Sequence, residues 1–413
     1  MDGATTGTEK VDLHCGTSVG VGRLARQPVS QFRSILSLAD FERKARRRLP
    51  WMLYSFIAGG AEDEAALAES AAAFRDYAFV PRVLVDVSRR SQTTSLFGKP
   101  YAAPFGIPPM GVGALFAYRN DVVLAHVAES MQLPFILSAS SLIPLETVKA
   151  AGPNAWYQAY VPGDEPRIAA LIDRVAAAGF DTFVVTVDVP VAANRENNER
   201  NGFTTPLRPS FKLFWDGATH PSWLFGTALR TLISHGMPHF ENTDATRGPP
   251  IISRDLTRAT GLRDGLSWQH LKFIRSKWAG KLVVKGVLAA ADAKIVREAG
   301  ADGVIVSNHG GRQLDGAIAP LRVLPEIVEA SGDMVVMYDG NIRRGADVLK
   351  ALALGAQFVF VGRPFLFAAA VGGEAGVRHA AELLTREIDR DMAMLGITSL
   401  AELTTDHIRR IRE

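Results

Sequence analysis

The 413-residue sequence predicts an α/β protein of the (β/α)8 TIM-barrel class, with a helical segment ahead of the barrel and a long insertion after its fourth strand. Three observations lead there. Eight short apolar runs alternate with Ala-rich amphipathic stretches, the pattern spans roughly the 250 residues such a barrel needs, and polar residues recur just beyond the same end of those runs. A 47% hydrophobic and 22% charged composition supports a packed core. The net charge of +3, with Lys and Arg scattered among acids, gives no footing for nucleic-acid binding. A single cysteine, Cys15, leaves no intrachain disulfide and fits a reducing, cytoplasmic setting. Neither a signal-like apolar run near the start nor a stretch of about 20 apolar residues is present.

Residues 1–34, rich in Gly, Thr and Ser, are expected to form a disordered tail. From Ser37 to Phe74 the apolar positions Leu38, Phe41, Leu49, Met52, Phe56 and Ile57 have helical spacing, broken by Pro50 and by Gly59-Gly60. The eight runs are Phe105–Pro108, Phe135–Leu137, Ala155–Gln158, Thr182–Val187, Leu282–Lys285, Gly303–Ser307, Met334–Asp339 and Phe358–Gly362. Short, Val/Ile/Phe-rich and bounded by Gly, Pro or polar residues, they read as buried parallel strands. Helical stretches follow, as at Glu165–Ala178, Ala289–Glu298, Pro320–Ala330 and Arg344–Leu354. A doubly wound open sheet is the alternative, but it calls for a Gly-rich phosphate loop after its first strand, and none occurs. About 95 residues separate Val187 from Leu282, so residues 196–266 contain an insertion. A single barrel domain is expected over 35–400, with 401–413 a tail or helix.

Reacting groups of a barrel lie at the C-terminal ends of its strands. Gln158 and Tyr160 follow one run. Thr186 and Asp188 follow the next, with Arg195 beyond, and Lys285 ends another. Ser307-Asn308-His309-Gly310-Gly311-Arg312, Asp339-Gly340 with Arg343, and Gly362-Arg363 follow the last three. Each has an ordinary reading: a strand-end lysine snorkels, Asp-Gly makes a turn, and a loop histidine is satisfied locally. Their shared register favours a site. His309 sets a general base beside a carboxylate binder, Arg312, with Arg195 as a second cation. Asp188 is suited to orient His309, and Lys285 to face negative charge on a cofactor. The loops with Gly340, Arg343, Gly362 and Arg363 stand where barrels bind phosphate. No His/Cys cluster suggests a metal.

The run Ser307-Asn308-His309-Gly310-Gly311-Arg312-Gln313-Leu314-Asp315 resembles the signature of the FMN-dependent α-hydroxy-acid oxidase and dehydrogenase family. The likeness extends from about Leu38 to Leu400. It includes Gly60-Ala61-Glu62-Asp63, Tyr157-Gln158-Ala159-Tyr160, Thr186-Val187-Asp188, Val284-Lys285-Gly286 and Val361-Gly362-Arg363-Pro364. The resemblance implies FMN as cofactor, a homotetramer, and oxidation of a small (S)-2-hydroxy acid to the 2-keto acid. It implies His309 as the base, Asp188 as its partner, Arg195 and Arg312 on the substrate carboxylate, Tyr160 near the reacting centre, and Lys285 at the flavin N1–C2 edge. Pro109, Met110, Gly111, Ser138, Gln158, Thr186 and Ser307 match flavin-ring or ribityl contacts; Asp339, Gly340, Arg343, Gly362 and Arg363 match the ribityl and phosphate site. One departure stands out. Where the family usually has a substrate-binding tyrosine, this sequence has Phe56, and Tyr54 lies about 200° away around a helix. A charged hydrogen bond of ~1.5–3 kcal/mol is thereby missing.

The segment Lys212–Gly217, with His220-Pro221-Ser222-Trp223 and His235–Pro238, resembles the insertion of the membrane-associated mandelate and lactate dehydrogenase branch. Trp223, Leu224, Phe225, Leu229, Leu232 and Ile233 are expected to share one apolar face that lies on a membrane or packs on protein. The expectation is peripheral contact with the cytoplasmic face of the inner membrane and a quinone or other acceptor, to which Gly111 lends support as a position where many oxidases carry alanine. The alternatives are an oxygen-using 2-hydroxy-acid oxidase or another FMN barrel, such as a type 2 isopentenyl diphosphate isomerase-like enzyme.

Overall fold

A computed structural model describes residues 32–204, 207–208, 210–253 and 263–412. Residues 1–31 of the expected tail, and 254–262 of the insertion, lie outside the described residues.

The N-terminal segment forms three helices, α1 (Leu38–Arg48), α2 (Trp51–Ala58) and α3 (Ala65–Ala72). Ser37 and Asp40 cap α1 reciprocally, and Arg46–Arg48 suit its C-terminal dipole. Leu38, Phe41 and Ala45 bury one stripe of α1 against the last helix, Arg363–Leu395, which kinks at Gly373. Pro50 ends the first helical run and opens the second, as its missing N–H dictates.

Strand β1 (Tyr77–Phe79) is followed by the antiparallel hairpin β2 (Thr94–Leu96) and β3 (Lys99–Tyr101). Eight parallel strands come next: β4 (Phe105–Gly106), β5 (Ile136–Ser138), β6 (Trp156–Ala159), β7 (Thr182–Thr186), β8 (Lys281–Val287), β9 (Gly303–Val306), β10 (Val335–Asp339) and β11 (Phe358–Phe360). They pair in sequence order, β11 returns to β4, and an Ile107–Phe135 bridge joins the edges of β4 and β5. Each strand is followed by a helix, from Asn120–Ser130 to Arg363–Leu395, so the eight predicted runs form a (β/α)8 barrel.

Side chains alternate along these strands. Ile136, Trp156, Val184, Val283, Ile305, Met337, Phe358 and Phe360 fill the bore, while Tyr157, Phe183, Val185, Val284 and Val304 face the helices. Leu96 and Tyr101 of the hairpin join the bore cluster beneath the strand starts and close that end.

Two expectations are corrected. Residues 401–412 are neither tail nor simple helix: β12 (Ile408–Arg410) pairs antiparallel with β1, and Ile408 is buried. Nor do the six apolar residues of the insertion share one face. A π-helical turn at Leu224–Leu229 rotates the chain, and Trp223 turns inward to donate from its indole N–H to Leu115 O at 2.8 Å. Phe225, Leu232 and Ile233 stay exposed, joined by Phe211, Phe214 and Trp215 from the helix Phe211–Ala218. That helix is docked through Asp216, whose carboxylate accepts the Trp51 and Met52 backbone N–H groups and so caps α2.

Candidate active site

A cleft of about 810 Å³ opens at the C-terminal end of the barrel. Its lining draws on the loops after β4, β6, β9, β10 and β11, the end of α2, and the insertion.

The loop after β9 carries His309. Three successive residues are left-handed: His309 (φ 58°), Gly310 (φ 67°) and Gly311 (φ 71°). For histidine this costs of order 1–3 kcal/mol, which surrounding bonds must offset. Ser307 Oγ accepts from His309 N at 3.0 Å, and Asn308 both donates to Ser70 Oγ and accepts from Gly311 N. Gly311 is obligatory, since a Cβ there would stand 2.6 Å from Leu67 N. Its carbonyl accepts from Ala61 N at 2.9 Å, and the Asp315 carboxylate accepts from the N–H groups of Asp63, Ala65 and Ala66 at the start of α3. The loop and the α2–α3 corner are thus laced together.

His309 Nδ1 lies 3.0 Å from Asp188 Oδ1, and its Nε2 lies 3.4 Å from the Tyr160 hydroxyl. The carboxylate fixes the tautomer with hydrogen on Nδ1, leaving Nε2 as the accepting nitrogen. Burial pushes His309 below its usual value, with Asp188 opposing and Lys285 and Arg195 reinforcing, so the imidazole is neutral at pH 7. Burial acts to raise Asp188, but His309 and Lys285 hold its carboxyl below the usual range. Burial, then Asp188, raises Tyr160.

Lys285 is buried rather than snorkelling. Its Nζ lies 2.8 Å from Asp339 Oδ2 and donates to Ser307 Oγ at 3.0 Å. Burial acts to lower it, yet Asp339 and Asp188 keep it above the ordinary lysine value. A bulge between Lys285 and Val287, with Gly286 at φ 104°, shifts the register of the β8–β9 ladder here before it resumes at Val287.

Among the arginines that line the cleft, four are held by hydrogen bonds to oxygen acceptors of the surrounding chain. Arg195 donates to Arg312 O and Gln313 Oε1; Arg312 donates to the Phe56 and Gly59 carbonyls; Arg363 donates to those of Ile57, Gly59 and Gly310. Arg343 donates to Ile342 O. Carbonyls hold these forks without neutralising them. Burial, then repulsion from Arg195 and Arg363, pushes Arg312 well down, while burial and Arg343 bring Arg363 to about 9. None of the four forms an ion pair with a carboxylate among the described residues.

Phe56 occupies the cleft wall, packed on Phe203 with ring centroids 4.2 Å apart and lying 4.8 Å from the Arg312 guanidinium carbon. Tyr54 points elsewhere, stacked on Phe367 and bonded to Glu42.

The sequence profile described as FMN-dependent dehydrogenase matches residues 45–410. This chain belongs to the FMN-dependent dehydrogenase family. It is 38% identical over 380 residues to a putative L-lactate dehydrogenase of Mycobacterium tuberculosis, covering 91% of this chain and 90% of that one. It is 36% identical over 379 residues to an (S)-mandelate dehydrogenase of Pseudomonas putida, covering 91% and 94%. Among solved structures, monotopic membrane protein (S)-mandelate dehydrogenase aligns with a TM-score of 0.84 at 35% identity over 92% of this chain and all of that one. A mandelate oxidase aligns at 0.74 and 34% identity over 91% and 98%.

The residues present fit FMN, the family's cofactor. Gln158 Nε2 and Thr186 Oγ1, at the ends of β6 and β7, are buried without a hydrogen-bond partner, as polar groups awaiting a ring edge would be. Ser138 Oγ donates to Gln158 Oε1 and so orients that amide. Arg343 and Arg363 would supply the cations that the FMN phosphate needs, beside Asp339, Asn341 and Gly362 in the cleft lining. A Cβ at Gly362 would crowd Pro108 and Met110, which line the same wall as Pro109 and Gly111. Gly340 is a backbone spacer between Asp339 and Asn341, and Asn341 itself is left-handed.

Several lining residues carry no sequence signal of function. Gln313 bridges Arg195 and the Asp188 carbonyl, and only its place inside the signature run hinted at a role. Phe203, Phe240 and Arg263 come from the insertion, where spacing says nothing about burial. No group of three metal-ligating side chains occurs among the described residues.

Proposed function

We propose that this protein oxidises an (S)-2-hydroxy acid to the 2-keto acid, with His309 as base. The observation that carries it is the Tyr160–His309–Asp188 chain standing beside Arg195 and Arg312. Arg195 and Arg312 hold the substrate carboxylate, which orients the Cα and its hydroxyl. His309 Nε2 takes the hydroxyl proton, Asp188 stabilises the imidazolium, and Tyr160 donates to the developing oxygen charge. Bound FMN supplies the acceptor for the Cα hydrogen, and Lys285 provides positive charge alongside.

Anaerobic mixing with a panel of 2-hydroxy acids should bleach the flavin absorbance. His309→Ala should retain FMN yet lose that bleaching; reduction at the normal rate would remove His309 as base, and a panel that leaves the flavin oxidised would overturn the reading.

The acceptor proposed is a membrane quinone in preference to oxygen. The exposed Phe211, Phe214, Trp215, Phe225, Leu232 and Ile233 suit an interfacial surface, and no described helix is long and apolar enough to cross a membrane. The (S)-mandelate dehydrogenase of similar fold is a monotopic membrane protein. At Gly111 a Cβ would stand 2.8 Å from Ser140 Cβ, so the alanine of many oxidases does not fit without a shift. Stoichiometric peroxide formation with no turnover on quinone analogues would refute this choice.

A further inference from the structure

The cleft holds more positive charge than one carboxylate and one phosphate require. Arg343 and Arg363 answer to the phosphate, Arg195 and Arg312 to the substrate carboxylate, and Lys285 is paired with Asp339. Arg263 is left over. It lines the same cleft, and its guanidinium carbon lies 4.5 Å from the centre of the Tyr160 ring.

Arg263 forms no ion pair among the described residues. Of the two acids in the lining among the described residues, Asp339 is taken by Lys285, and Glu199 is not among the groups acting on Arg263. Burial pushes Arg263 below the usual arginine value, and among the described residues Tyr160 opposes this. A neutral phenol offers a cation only its ring face. Arg263 is half-buried, and withdrawing part of a guanidinium from water without an anion is costly, so a cation kept in this state beside a reacting centre is best explained by an anion that arrives with the ligand.

The local backbone keeps it there. Arg263 O accepts from Leu266 N at 3.1 Å in the turn before the helix Trp268–Lys277. That turn approaches the loop after β6 so closely that a Cβ at Gly163 would stand 2.8 Å from the Gly265 carbonyl carbon. Tyr160 and Gly163 share this loop, so the turn bearing Arg263 is seated against the segment that carries Tyr160. The electrostatic neighbours of Tyr160 include both Arg263 and Arg195. The leftover cation and the carboxylate-binding Arg195 therefore both act on Tyr160 within one cleft, where a single ligand can meet them together.

We propose that Arg263 is a second anion site of the cleft, and that the preferred substrate is a 2-hydroxy acid whose side chain ends in a further carboxylate or comparable anionic group. The inference rests on the 2-hydroxy-acid oxidation proposed above. Arg208, also in the lining and exposed at the mouth, extends the same positive path outward.

The test uses FMN-loaded full-length protein under anaerobic conditions and reads flavin bleaching against matched pairs. In each pair a terminal carboxylate replaces an isosteric isopropyl group: 2-hydroxybutanedioate against 2-hydroxy-4-methylpentanoate, and 2-hydroxypentanedioate against 2-hydroxy-5-methylhexanoate. The dicarboxylate of at least one pair should give a second-order rate constant for reduction at least tenfold higher. Arg263→Met should collapse that ratio to about one, and Arg263→Lys, which keeps the charge, should recover part of it. A purely structural role for Arg263 would lower both members of a pair alike and leave the ratio intact. Equal constants within each wild-type pair, or a ratio that survives Arg263→Met, overturn this inference while leaving the oxidation chemistry standing. Failure of every acid to bleach the flavin overturns both.

Discussion

Replacing Asp188 with asparagine removes one charge and little volume. In the native site Asp188 Oδ1 accepts from His309 Nδ1 at 3.0 Å, so the carboxylate gains a full ion pair when the imidazole takes the substrate proton. With charge centres about 4 Å apart and an effective dielectric near 20, that attraction is roughly 4 kcal/mol. Losing it should slow flavin reduction by about 10³-fold. The sign of the pH effect is separately predicted. His309 works as its neutral form, so the reduction rate rises with pH through the histidine pKa and is flat above it. Burial already holds that pKa below 6.5, and Asp188 opposes the burial. Asp188→Asn should therefore lower the plateau and move the acid limb further toward low pH. Anaerobic stopped-flow bleaching from pH 5 to 8, on protein of verified FMN content, reads both effects. A plateau within threefold of wild type, or an acid limb displaced upward, would refute the assignment of Asp188 as the carboxylate that supports the imidazolium.

Two further substitutions address the walls of the site. Phe56→Tyr returns a hydroxyl to the wall facing Arg312, and one hydrogen bond to a charged group at ~1.5–3 kcal/mol should tighten substrate by about tenfold or more; an unchanged KM in steady-state assays would show that the hydroxyl does not reach the carboxylate. Gly286→Ala places a methyl group 2.5 Å from Asp188 Cγ at φ 104°, so both Asp188 and the backbone are displaced; thermal unfolding should fall by several degrees with a large drop in reduction rate, and a variant of native stability and activity would contradict the close approach.

The barrel was legible because its strands are buried on both faces. Runs such as Thr182–Thr186 need no alternation to be recognised, only Val-rich length and polar bounds. Site residues at strand ends were legible for the same reason: once β7, β8 and β9 are placed, Asp188, Lys285 and His309 fall on one rim. What depends on pairing across the chain was not legible. β12 meets β1 over more than 300 residues, and neither three-residue segment carries enough pattern to announce it. The floor hairpin β2–β3 is equally short. In the insertion, apolar periodicity grouped Trp223 with five others on one apolar face, but the π-helical turn changes the angle per residue and an indole hydrogen bond draws Trp223 inward, away from the exposed Phe225, Leu232 and Ile233. Arg263 had no signal at all, because an arginine in a polar loop looks solvated until a neighbouring loop covers it.

The lacing of the His309 loop to the α2–α3 corner bears on how this enzyme can be redesigned. Arg312 and Arg363 grip the carbonyls that end α2, Ala61 binds Gly311, and Asp315 caps α3. Residues 56–66 and 309–315 therefore behave as one cassette, although some 240 positions separate them in the chain. Exchanging substrate preference with a relative by grafting the catalytic loop alone would leave caps and carbonyls mismatched across the seam. Chimaeras that move both stretches together keep the interface native, so they should tolerate a foreign pocket wall where single-loop grafts lose cofactor or fold.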